Sequence, residues 1–124
     1  MFTELVLVIT HPPFGNDVAR AGLRLARRMM RLPEVHLTVF LMSDGVYCAR
    51  SGSEYAEGLY NVEKGLGYNP QQMLAVLDKA EVFACRTEMG ERDLAEDDLL
   101  DFVTVASLDD AVDAISTADK VMVF

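Results

Sequence analysis

Leu5-Val6-Leu7-Val8-Ile9 is an unbroken apolar run with no polar alternation, so as a strand it must be covered on both faces. Further apolar runs recur along the chain at Val35–Met42, Glu81–Cys85, Phe102–Val105 and Lys120–Phe124, and segments with helical spacing lie between them. The first of these segments places Val18, Ala21, Gly22, Leu25 and Met29 on one face and closes at Pro33-Glu34. Asn16 is its expected cap, with Asp17 suited to the positive helix end. A second helix is expected from Pro70 to Lys79, with Met73, Leu74 and Leu77 inward. A short acidic helix is expected from Leu94 to Leu100. Ser107 is expected to cap a last helix carrying Leu108, Ala111, Val112 and Ile115.

Strands alternating with helices predict a single α/β domain over residues 1–124. Its form would be a five-stranded, mainly parallel sheet with helices on both faces, a flavodoxin-like three-layer sandwich with the first strand at its centre. Val46 to Arg50 reads as a helical turn. Residues 51–69 hold Gly52, Gly58, Gly65 and Gly67 and read as irregular structure, a length usually kept for function or an interface.

Charge narrows the partners. Twenty acidic residues against eleven basic ones give a net charge of −9, which repels nucleic acid and anionic lipid. Five of the bases, Arg20, Arg24, Arg27, Arg28 and Arg31, come from one segment, while twelve acids lie between Glu81 and Asp119. Such asymmetry suits self-association through complementary faces. No apolar run approaches membrane-spanning length, and the amino terminus enters a strand without a basic segment or a small-residue cleavage site. With two cysteines, this predicts a cytoplasmic protein with reduced thiols. Two histidines make a metal site of ordinary spacing unexpected, and no phosphate-loop, dinucleotide or nucleophile-elbow pattern occurs. No cofactor is expected.

In an open α/β sheet, ligands bind outside the carboxyl ends of the strands. Cys85 ends an apolar run there, followed by the polar Arg86 and Thr87. A thiolate at that place is favoured by positive charge and backbone N–H groups, although a free cysteine also packs as a small hydrophobe. The same edge receives His11 after the first strand and Asp44, Gly45 and Tyr47 after the second. Cys48 follows, either facing the same crevice or packed.

Thr10-His11-Pro12-Pro13-Phe14-Gly15, the run Val39 to Met42 into Ser43-Asp44-Gly45-Val46-Tyr47, Val82-Phe83-Ala84-Cys85, the loop from Gly90 to Leu94, and Ala118 to Phe124 together resemble the DsrE/DsrF-like family over nearly the whole chain. The resemblance implies the DsrE-like five-stranded fold and assembly into small oligomers such as trimers and hexamers. In the family's sulfur-relay members it implies a persulfide carried on one cysteine, whose place matches Cys85. Many relatives continue with a Cys-Gly-Thr-Cys-like stretch where this chain reads Cys85-Arg86-Thr87-Glu88, leaving one thiol there. The resulting expectation is an intracellular sulfur carrier or sulfurtransferase-like protein exchanging sulfur with donor and acceptor proteins. The alternative is a non-catalytic oligomeric binding or assembly module with a small-ligand crevice and a structural Cys85.

Overall fold

The run Leu5–Ile9 is buried along its whole length, as its lack of alternation requires. A computed structural model of the chain describes residues 2–15, 17–51, 73–74, 77 and 79–124. The expected Asn16 cap, nearly all of the irregular segment 51–69 and the helix start at Pro70 lie outside these residues. The named elements are β1 (Thr3–Ile9), α1 (Val18–Met29), β2 (Val35–Leu41), a 3-10 helix (Ser43–Ala49), β3 (Glu81–Cys85), α2 (Arg86–Glu91), a 3-10 turn (Glu96–Asp98), β4 (Val103–Ala106), α3 (Leu108–Thr117) and β5 (Lys120–Val123).

All five strands are parallel, in the order β4-β3-β2-β1-β5. The central strand is therefore β2, not β1 as the apolar run suggested. β1 is equally buried because β5 returns to cover its other edge. From β1 to β4 every step runs in one direction across the sheet, so right-handed crossovers put α1, the buried Met73, Leu74 and Leu77, and α2 on one face. The step from β4 to β5 reverses direction and puts α3 on the other.

The two cores follow this division. Leu5, Leu7, Ile9, Leu37, Val39, Leu41, Val82 and Ala84 pack with Ala19, Leu23 and Ala26 of α1, and Met73, Leu74 and Leu77 are buried with them as expected. Val6, Val8 and Phe40 pack with Ala111, with Phe83, Ala114 and Ala118 at the margin. Phe40 and Phe83, paired across β2 and β3, stack with centroids 5.1 Å apart, worth about 0.5–1.5 kcal/mol beyond their burial.

Three expectations are corrected. On α1 the inward residues are Ala19, Gly22, Leu23 and Ala26; Ala21 and Leu25 point outward, and Met29 lies at the margin. Small residues face inward because the helix lies close to the sheet, and a Cβ at Gly22 would come 2.7 Å from the ring of Phe124. On α3 the alanines take the inward face and Leu108, Val112 and Ile115 are exposed. Between Leu94 and Leu100 only Glu96–Asp98 turns, as a 3-10 helix, and the regular helix begins earlier, at Arg86. Ser107 caps α3 as expected: its Oγ accepts from Asp110 N at 3.1 Å, while Asp110 Oδ2 accepts from Ser107 N at 3.0 Å.

Candidate functional site at the carboxyl edge of the sheet

Parallel strands bring their following segments to one edge, so His11, Asp44, Gly45, Tyr47, Cys85, Arg86 and Thr87 share it. Cys85 is the last residue of β3 and the N-cap of α2, with extended backbone and no cap bond from its side chain. Register sets it beside Ala106 of β4, and alternation puts it on the same side as Phe83, toward α3. It is 1% exposed. Arg86 and Thr87 stand exposed on the first turn of α2. The positive charge of Arg86 reaches across to α3: the Asp110 carboxyl is held below the usual carboxylate range, first by the Ser107 backbone N–H and hydroxyl, and further by Arg86. A depression of about 260 Å³ opens beside Arg86, lined by Met89, Gly90, Leu94, Glu96 and Val105, and Cys85 is not among its walls.

Cys48 belongs to the opposite side of the sheet. It is fully buried in the core beneath α1, and its Sγ lies 3.7 Å from the carbonyl oxygen of His11. Burial pushes its thiol far above the ordinary value, so it remains protonated. Of the two readings left open for Cys48, packing is the one observed. The sheet separates the two free thiols.

His11 is half-buried, its Nδ1 3.3 Å from Thr10 Oγ1. The Thr10 hydroxyl donates to Phe124 O at 3.0 Å, leaving its oxygen as acceptor for an Nδ1–H of His11. Tyr47 packs against Phe14, with ring centroids 6.2 Å apart. Gly45 is buried, and a Cβ there would sit on the carbonyl oxygen of Ile9, so the turn after β2 presses directly on the end of β1.

Asp44 is held by Arg92, a residue not among those expected at this edge. Arg92 Nε donates to Asp44 Oδ1 at 2.9 Å, and its Nη1 donates to Glu88 Oε2 at 2.8 Å and to Glu88 O at 3.0 Å. These bonds, that to Asp44 foremost, raise the Arg92 pKa above its ordinary value. The i,i+4 spacing of Glu88 and Arg92 was a visible signal for half of this cluster. The link to Asp44 spans 48 residues and left none. Among the described residues no three His, Cys, Asp or Glu side chains gather as a metal-ligand set, and no helix is long and apolar enough to cross a membrane.

Comparison with known proteins agrees with this architecture. Protein YchN of Escherichia coli (strain K12) is 32% identical over 124 residues, covering 98% of each chain. Uncharacterized protein MK0008 of Methanopyrus kandleri is 28% identical, over 97% of this chain and 93% of its own. The crystal structure of ychN protein from E. coli superposes with a TM-score of 0.80 at 29% identity over all of both chains. Protein MTH1491 from Methanobacterium thermoautotrophicum, described as of unknown function, shares the fold at a TM-score of 0.76 and 20% identity over 98% of this chain and 99% of its own. The DsrE/DsrF-like family model matches residues 4–124, from the second residue of β1 through β5, and with the two-faced parallel sheet and a thiol closing β3, the chain belongs to the DsrE/DsrF-like family.

Proposed function

We propose that this chain is a single-domain sulfur carrier that holds sulfane sulfur as a persulfide on Cys85. The observation that carries the reading is the position of Cys85, at the carboxyl end of β3 and next to the exposed cation of Arg86. Cys48, by contrast, is held protonated within the opposite core. Family membership supports a role in sulfur relay.

In the step proposed, the Cys85 thiolate attacks the outer sulfur of a donor persulfide. The donor's S–S bond breaks, a new S–S bond forms on Cys85, and the donor leaves as a thiolate, with no net oxidation or reduction. An acceptor thiolate then takes the outer sulfur by the same exchange. Arg86 and Thr87 flank the thiolate, while His11, Asp44, Gly45 and Tyr47 frame the edge. The 1% exposure of Cys85 makes local opening, or the donor's own docking, part of the step. This chemistry uses no cofactor and belongs in the reducing cytoplasm.

That same burial favours a second reading, a binding or assembly module in which Cys85 only packs. Incubation with a persulfide donor followed by intact-mass measurement separates the two. The carrier gains one sulfur, retained in Cys48→Ser and lost in Cys85→Ser. Retention in Cys85→Ser, or no adduct with several donors, leaves the module reading. Under either reading the protein forms a homo-oligomer, a trimer or hexamer, and light scattering at a range of concentrations tests this.

A further inference from the structure

The sheet separates charge as well as thiols. α1 and the turn after it, over one face, expose Arg24, Arg28 and Arg31. α3, over the other, exposes Asp109, Asp110 and Asp113. Register adds Glu81 to the acidic face, since it pairs with Thr38, which pairs with Val6.

The acidic face also carries an unpartnered apolar patch. At 100° per residue, Leu108, Val112 and Ile115 fall on one flank of α3, and Asp110 and Thr117 fall on the other. A right-handed crossover from β4 to β5 turns the apolar flank toward β5. Asp110, on the opposite flank, lies near enough to Arg86, which follows β3, for that charge to lower its pKa, in agreement with this orientation. On β5, Val121 pairs with Val6 and Val123 with Val8, so both lie on this same face. Val112 is 61% and Val123 64% exposed. Among the described residues β5 pairs only with β1, and none pairs with its outer edge. The result is a surface walled by α3 and floored by β5, a kind of surface monomers seldom leave uncovered.

The geometry points to α1 of a second copy as the occupant of this patch. α1 and the turn after it present Leu25 and Leu32, both exposed, in line with Arg28. Apolar side chains therefore meet apolar ones while the rim pairs arginines with aspartates. A two-fold contact of α3 on α3 would instead bring the acidic faces of two chains of net charge −9 together. Front-to-back contact repeats from copy to copy and closes into a ring when the rotation permits. This inference rests on the homo-oligomer reading above and specifies its surfaces.

Light scattering on the full chain tests it. Wild type gives a particle several times the chain mass that dissociates as salt is raised. Val112→Asp, on an exposed position, gives single chains that still melt cooperatively. Arg24→Glu with Arg28→Glu, and separately Asp109→Lys with Asp113→Lys, each give single chains, and all four changes in one chain restore the particle. A wild type that stays at single-chain mass overturns both this inference and the homo-oligomer reading. An intact particle in Val112→Asp, or no restoration in the fourfold variant, overturns this inference alone.

Discussion

Arg92 Nε lies 2.9 Å from Asp44 Oδ1, joining the turn after β2 to the end of α2, two segments that flank the site. Arg92 is mostly buried while Asp44 is half-exposed, so solvent screens this pair. Asp44→Ala is expected to cost only about 0.2–1 kcal/mol. Arg92→Ala, which also frees Glu88, is expected to cost more, about 1–2 kcal/mol. Urea melts of both variants and of the double variant check this, with a coupling between the sites as the expected result.

The two glycines of the edge should respond in opposite directions. Gly45→Ala puts a Cβ on the Ile9 carbonyl, where only backbone can yield, and is expected to cost about 3 kcal/mol or more. Gly90, on the exposed side of α2, has nothing within 4 Å of its Cβ position. Gly90→Ala is expected to add about 0.5–1 kcal/mol. Thermal unfolding of both variants checks the pair of signs.

Cys48 makes stability depend on alkaline pH. Its folded pKa is raised above the ordinary 9.0 by burial, so the neutral thiol contributes stability that is complete below 9.0 and lost as pH rises beyond it. The expected slope is up to about 1.4 kcal/mol per pH unit. Denaturation curves from pH 8 to 11 should show that slope in wild type and lack it in Cys48→Ala.

Ser107→Ala removes the hydroxyl that caps α3 and is expected to cost about 0.5–2 kcal/mol. Asp110 adds an acid dependence. Because its carboxyl is held below the ordinary 3.8, mainly by Ser107, the stabilisation it gives is present above that value and lost as pH falls below it. Acid titration followed by circular dichroism should show a flatter loss of stability below pH 4 in the variant.

What the sequence displayed was the local part of this structure. β3 runs from Glu81 to Cys85 as its apolar run indicated, and Ser107 caps α3 because Ser107 and Asp110 satisfy each other within one turn. Helix faces were less legible. Large apolar residues mark the expected stripe, yet α1 packs through Ala19, Gly22 and Ala26 because Phe124 lies close beneath it. The site shows the same division. Cys85, Arg86 and Thr87 fall at the strand end where the spacing put them. The sheet's separation of Cys48 from Cys85, the Arg92–Asp44 link and the Gly45–Ile9 contact each depend on segments distant in sequence.

The place of β5 in the sheet sets an order of events for a growing chain. β1 and β2 can pair once the first forty or so residues are available, but the other edge of β1 waits for Lys120–Val123. Until then a translating ribosome carries a sheet whose most apolar strand is also its open border, able to pair with a neighbouring nascent chain. A chain stalled before residue 120 is therefore expected to be a strong substrate for chaperones, and ladder closure over such a sequence distance makes folding slow for a protein of this size.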